Sequence, residues 1–520
     1  MLLLRRLQKI AGLLGIACVF VVISHMIMTI IQGRSAQNVT IMGVTFKGYD
    51  NMINKLKLLF CTRHFLFFIA LIAIFLGCAL VEKQGGFEHG KLVVYLAPKT
   101  TLTSAEFSFT LEKLWIEDAL GTKTVLPIQQ KEINTSLPGQ IILARGELKT
   151  GVYTKIYFKI AKAVLIKQGE IQPLGLTDEG VVSIPITLKI FPHKTNNLFL
   201  NWTPESSIKA ETFSPDIKVQ KGKTGLKKLL LYVSNSGDDY LSVIDRGSHQ
   251  VIDAITVGSA PKGMTLSEDG NYLYVANYLS NSISIVETIT NRLMDTIALN
   301  IGFGPTELTI PPFSQTLYVT ATDSNAVIAI DTLSKSILKK IEVGQRPIGI
   351  ASGPNGQYVY VANSYSNNIS VIETYTNKVI NTIGAGGEPK YVMVYQRYIV
   401  VSNSQSNSLM FIDRHSLKVV STAFVPSQPG RIIPGLRGWV YVAGERSNDI
   451  SFVTPMLNIA PRKLAVSRHP SGVALDKDRK LLYVANLADN TVSVLDLIRE
   501  EAIDKIEVGD KPYDLILVGN

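Results

Sequence analysis

The sequence predicts an all-β chain, a seven-bladed β-propeller of four-stranded blades behind a small β-sandwich and apolar amino-terminal segments. Three observations carry that prediction. A pair of short apolar runs around a polar turn, as in VYVANSYSNNISVIE at 359–373, returns seven times between residue 231 and the carboxyl end. Aligned on the Tyr of YV, the copies fall at Tyr232, Tyr274, Tyr318, Tyr360, Val400, Tyr441 and Tyr483, with spacings of 42, 44, 42, 40, 41 and 42 residues. Such a period with several strands per copy marks propeller blades or stacked arrays. The chain ends then separate the two: the first copy begins at its second strand (KLLLYVSN, 228–235), whereas the last runs on into a lone first strand, KPYDLILVG at 511–519. The surplus strand completes the first copy in a 3+1 closure, leaving no open edge.

Taken in order, the chain starts with two apolar stretches, Ile10 to Ile31 and Phe65 to Val81, each preceded by basic residues. If both spanned a membrane, the loop carrying Arg34, Lys47, Lys55, Lys57 and Arg63 against Asp50 would be forced outside, contrary to the positive-inside tendency. A start at Met52 removes the conflict. Residues 52–81 then read as an export signal and membrane anchor, with residues 1–51 an extension of doubtful status. The alternative is an upstream transmembrane helix whose neighbour does not fully cross. Phe75-Leu76-Gly77-Cys78 resembles a bacterial lipoprotein cleavage box, with Phe75 and Leu76 where that box usually has Leu and a small residue. The resemblance implies lipidation at Cys78, against a plain anchor with a buried thiol. Cys18, Cys61 and Cys78 are the only cysteines, so nothing beyond Cys78 can form a disulfide or a CxxCH haem attachment.

Residues 90–217 read as the sandwich, with strands at 92–97, 107–118, 141–144, 152–160 and 183–191. In 152–160, Val152, Thr154, Ile156, Phe158 and Ile160 alternate with Tyr153, Lys155, Tyr157 and Lys159, the pattern of a strand with one wet face. The order LVVYLAPKT, LEKLWIED, GELKTGVYTKIYFKI and LFLNWTPESSI resembles an uncharacterised family of lipoprotein β-sandwich domains, which implies a stalk beneath the propeller and no catalytic residue. A basic linker, KVQKGKTGLKK at 218–228, leads to the propeller at 229–520.

Each propeller copy holds four strands; in the fourth they are IGIAS (348–352), YVYVAN (358–363), ISVIE (369–373) and KVINTIG (378–384). The second is apolar on both faces, Val359 and Val361 against Tyr360 and Ala362, as expected of a strand held between neighbouring sheets. LYVAN, then SVI(D/E), xxTIxVG and Pro-x-Gly-hydrophobic, resembles the YVTN-type β-propeller repeat of bacterial and archaeal surface and periplasmic proteins. That resemblance implies the seven-bladed fold but no single function.

Charge and chemistry narrow the function. The excess of base lies before residue 229, with 28 Lys+Arg against 15 Asp+Glu; from there on it is 24 against 27. A nucleic-acid surface is therefore not expected. Asp239, Asn281, Asn325, Asn367, Asn407, Asn448 and Asn490 recur in every turn from strand two to three, which points to a shared turn role, bonding their own backbone. The residue before the repeat's Pro varies instead: Ala260, Gly304, Arg346, Glu388, Gln428, His469 and Lys511. Together with Lys262, Glu307, Lys390 and Arg431 after the Pro, these side chains are expected to ring the channel mouth and to bind a ligand, a peptide or a partner loop. The competing reading is solvated loop tips with mutual ion pairs. Only His249, His415 and His469 lie in the propeller, too few for a haem or copper-cluster enzyme, so no cofactor and no metal site is expected.

The resulting expectation is a membrane-anchored, extracytoplasmic protein at the periplasmic face or cell surface. It would act as a non-catalytic binding or scaffolding module for a protein, peptide or glycan. The rival is a periplasmic enzyme, oxidoreductase or lactonase-like, with Arg346, Glu388 and His469 converging on a deep pocket.

Overall fold

The computed structural model describes residues 38–41, 44–47, 88–98, 106–135, 139–167, 170–209, 211–220, 229–425, 428–454 and 462–519. The chain divides into two units, Met1–Phe87 and Glu88–Asn520. In the first, β1 (Asn38–Ile41) and β2 (Val44–Lys47) form an antiparallel pair. The apolar segment 10–31, the anchor 52–81 with Cys78, and residues 221–228 of the linker lie outside the described residues. Among the described residues no helix is long and apolar enough to cross a membrane.

The second unit opens with two facing sheets. One is a mixed sheet of β3 (His89–Pro98), β7 (Ile141–Lys149), β11 (Thr195–Thr203) and β14 (Asp216–Val219), in which β3 and β11 run parallel. The other is built around β4 (Glu106–Asp118) and β8 (Gly151–Lys167). Their inner faces share a core that includes Leu92, Leu114, Ile116, Ile156, Phe158 and Trp202. The alternation expected for 152–160 holds from Ile156 onward and fails at its start: Tyr153 is buried and Val152 exposed. The cause is a register shift. Lys155 pairs with Glu117 but Tyr153 with Asp118, so the extra residue, Thr154, turns the strand over by one face.

Seven four-stranded antiparallel sheets follow, and the strands of the fourth, Pro347–Ser352, Tyr358–Asn363, Asn368–Glu373 and Lys378–Gly384, agree with the expected ones to within a residue. In the first blade Leu230–Asn235 pairs with Pro512–Val518, Tyr232 opposite Ile516, so the ring closes by the 3+1 arrangement. The repeat's Tyr has a specific task. The Tyr318 hydroxyl of blade 3 donates to Asn377 Oδ1 of blade 4 at 2.6 Å, and Tyr232 bonds Asn291 of blade 2 in the same way. In blades 1 and 3 the Tyr thus staples its sheet to the outer hairpin of the next blade, whereas Tyr441 accepts from the Leu436 N–H of its own blade at 3.1 Å.

The sandwich does not stand beneath the ring as a stalk. It packs against the outer strands of blades 7 and 1, where Val93, Tyr95 and Ile142 join a core with Leu231, Val251, Tyr483 and Ile506. Polar contacts fix the docking: Ile142 N–H donates to Glu507 Oε2 at 2.5 Å, Val251 N–H to Gln140 Oε1 at 3.0 Å, and Arg145 reaches both Asp238 (2.9 Å) and the Val508 carbonyl (2.7 Å). Replacing Arg145 with Ala leaves Asp238 without its nearest cation, and an effect of about 1.5–3 kcal/mol is expected. Calorimetry should then show a sandwich transition separating from that of the propeller.

Candidate functional site

The inner strands position the site. Two residues after the Pro that opens each of them stand Gly263, Glu307, Gly349, Tyr391, Arg431, Gly472 and Asp514, going from blade 2 round to blade 1. The glycines make room for large neighbours. A Cβ on Gly263 would lie 2.8 Å from Glu307 Oε2, and one on Gly349 or Gly472 would fall 2.6 or 2.8 Å from the Cα of Tyr391 or Asp514. Glycine and bulky side chains thus alternate, and because seven is odd, Tyr391 and Arg431 come in succession.

These large side chains meet on the ring's axis. Arg431 Nη2 lies 2.7 Å from Glu307 Oε1 and 3.2 Å from Asp514 Oδ1, joining blades 6, 3 and 1. Its guanidinium sits 4.7 Å from the Tyr391 ring centre, and the hydroxyls of Tyr391 and Tyr513 are 3.1 Å apart. Glu307 and Asp514 are 5% and 4% exposed. Burial pushes the Glu307 carboxyl up to about 7, with Arg431 pulling it down and Asp514 adding to the rise. Burial raises Asp514 too, against Arg431. Burial works against the charge of Arg431, but Asp514 and Glu307 outweigh it and keep the guanidinium protonated. The axis is therefore occupied by paired groups.

This arrangement makes stability pH-dependent. A carboxyl whose folded pKa exceeds its unfolded value of about 4.3 contributes stability that is full below that value and lost as pH rises through the folded one. Between pH 5 and 8 the urea midpoint is expected to fall, by an amount equivalent to about 1–3 kcal/mol as Glu307 titrates. Glu307→Gln should flatten that slope; an unchanged slope in the variant contradicts the assignment.

Around the axis lies the variable rim. Ala260, Arg346, Glu388, Gln428, His469 and Lys511 all have left-handed backbone, φ 51–58°, as does Gly304 at 67°. Each is locked by the recurrent turn residue of the preceding blade: the Oδ1 of Asp239, Asn281, Asn325, Asn367, Asn407, Asn448 and Asn490 accepts its N–H at 2.7–3.0 Å. The expected turn role holds, since these residues are themselves left-handed, φ 47–57°. Their bond, however, goes to the loop leading into the next blade and not to their own backbone. A constant Asn thus holds a changing side chain in one pose.

The predicted site residues separate into two groups. Arg346 and Lys511 are exposed and Glu388, Gln428 and His469 half-buried on the rim, with Arg346 over the Tyr365 ring. Lys390 and Arg431 are turned inward: Lys390 Nζ is 2.6 Å from both oxygens of Glu445, which is 3.8 Å from His469 Nε2. Lys262 lies 3.3 Å from the Tyr278 ring centre, and Tyr278 donates to Asp323 at 3.0 Å. Burial lowers Lys262 to about 8, with Asp323 and Glu307 resisting the fall. Arg346, Glu388 and His469 share no hydrogen bond or ion pair with one another among the described residues: Arg346 bonds Tyr365, and His469 faces Glu445. No group of three His, Cys, Asp or Glu able to hold a metal is found among the described residues.

Sequence reasoning missed Glu445, Tyr391, Tyr513 and Asp514. A signal existed, since Asp514 occupies the position where three blades carry Gly, and Glu445 stands where blades 1, 4 and 5 carry Ser236, Ser364 and Ser404.

Residues 296–436 match the YNCE-like beta-propeller family model. No curated protein matches the sequence. Among solved structures, the hydrazine synthase of Kuenenia stuttgartiensis is similar at 20% identity, over 54% of this chain and 97% of that one, with a TM-score of 0.46. A functionally unknown protein of Desulfotomaculum acetoxidans is similar at 14% identity, over 56% and 98%, with a TM-score of 0.49. A 6-phosphogluconolactonase candidate of Bacteroides fragilis is similar at 16% identity, over 56% and 98%, with a TM-score of 0.48.

Proposed function

We propose that this propeller protein is exported, anchored in a membrane, and acts as a non-catalytic binding or scaffolding module at the cell envelope, taking an extracytoplasmic protein, peptide or glycan on its rim. The observation that carries this reading is the filled axis. Arg431, Glu307, Asp514, Tyr391 and Tyr513 pack against and pair with one another where a propeller enzyme would seat its substrate. The unlike side chains Arg346, Glu388, Gln428, His469 and Lys511 meanwhile project from backbone held rigid by the turn residues. A rigid frame with variable tips suits recognition. Alanine at Arg346, Glu388, His469 and Lys511 together should leave Tm unchanged while releasing a partner that copurifies from envelope fractions. Retention of the partner by the variant would refute the rim.

The anchoring half of the proposal rests on residues 52–81 and is tested by mass spectrometry of the mature amino terminus from membranes. A lipid-modified Cys78 supports it, and an intact peptide from residues 1–51 would sink the Met52 start.

A second reading, an oxidoreductase or lactonase-like periplasmic enzyme holding a small ligand over the channel, has one observation on its side. Lys262 is a partly desolvated amine beside Tyr278, able to lose its proton near pH 8. Turnover of a small substrate that vanishes in Lys262→Met would favour it.

A further inference from the structure

The outer face of the sandwich carries a feature the rim does not explain. Trp115 and Tyr157 stand opposite each other on β4 and β8, their rings stacked at 5.3 Å and 7°. In the next row of the sheet Lys113 stands opposite Lys159, and neither is paired with a carboxylate among the described residues. Like charges directly opposite on neighbouring strands destabilise a sheet. On the far side Glu117 is engaged three times over, accepting from the Tyr157 hydroxyl at 2.8 Å and facing Lys123 at 3.7 Å and Lys155 at 3.8 Å. Lys123 also lies 4.7 Å from the Tyr157 ring centre and Lys113 lies 5.8 Å from that of Trp115. Between these groups is a shallow pocket of about 420 Å³, open to solvent and lined by Lys113, Trp115, Lys123, Val125 and Lys159. Trp115 Nε1 is shielded from solvent and has no acceptor.

We propose that this pocket binds an acidic saccharide, a sugar ring bearing a carboxylate or phosphoryl group. Its size is that of a small-molecule site. The apolar face of a pyranose fits against Trp115 and Val125, and the anion answers Lys113 and Lys159, which have no carboxylate partner among the described residues, although Lys159 Nζ also donates to the Glu179 carbonyl at 2.5 Å. A plain phosphate or an aliphatic carboxylate would answer the lysines but leave Trp115 and Val125 uncovered, which a sugar ring does not. The site belongs to the sandwich and is independent of what the rim binds.

The test is titration of the full chain with trigalacturonate, with a glycerol-phosphate oligomer carrying sugar substituents, with neutral maltotriose and with a single-stranded oligonucleotide, followed by calorimetry. Binding of at least one acidic saccharide is expected, weakened by salt and with maltotriose much weaker; which acidic sugar binds separates carboxylate from phosphoryl recognition. Lys113→Ala/Lys159→Ala should weaken it about tenfold or more, the scale of one charge-assisted hydrogen bond. Trp115→Ala, which removes the ring that lines the pocket, should weaken it several-fold. Equal binding of maltotriose, preference for the oligonucleotide, no binding by any acidic saccharide, or indifference to both substitutions overturns the proposal.

Discussion

Arg431→Met is expected to destabilise the propeller by about 3–5 kcal/mol, because it leaves Glu307 and Asp514 buried without their shared cation. Chemical denaturation should show a much lower midpoint with a similar slope. The triple variant Arg431→Met/Glu307→Gln/Asp514→Asn should recover much of the loss, since exchanging a whole buried ionic cluster for neutral groups is far milder than removing one member. Recovery would identify charge pairing as what fills the axis. A single variant as stable as the parent would mean that water reaches these groups and that the axis is open.

The second large effect is expected at the closure of the ring. Arg246, 1% exposed, donates to Asp476 Oδ2 at 2.7 Å and also bonds the carbonyls of Val518 and Gly519. One side chain from blade 1 thereby holds blade 7 and the final strand together. Arg246→Met strands Asp476 in the interior and loosens that strand, again about 3–5 kcal/mol. Hydrogen exchange should speed up first in Leu230–Asn235 and Pro512–Val518 and only later in blade 4. Uniform acceleration round the ring would show that closure is not the weak point.

How much of this could be read in the sequence depended on whether a feature repeats. The strands of every blade and the surplus strand at 511–519 were legible, since each second strand must be apolar on both faces and each turn must carry a residue tolerant of left-handed backbone. The rim was legible for the opposite reason: Arg346, Glu388, Gln428, His469 and Lys511 break a repeat at one fixed position. The axis was not. Glu307, Arg431 and Asp514 are 83 to 207 residues apart, read off their numbers, and only the ring's circular order brings them together. Lys390 was placed on the rim because its partner, Glu445, sits in another blade's turn. The sandwich's seat was hidden likewise, because Arg145 and Asp238 are meaningful only as a pair across an interface. The exchange of faces at Val152 and Tyr153 escaped because a bulge leaves no mark in an otherwise alternating strand.

Among the faces of the propeller, partner binding is proposed for the rim alone. The most direct measurement is site-specific photo-crosslinking in intact cells, with the probe at Glu388 on the rim or at Tyr375, 95% exposed in an outer hairpin of blade 4. One discrete product is expected from Glu388, absent from Tyr375 and lost when Arg346 and Lys511 are changed to Glu. Matching products from both positions, or no product from Glu388, would contradict it.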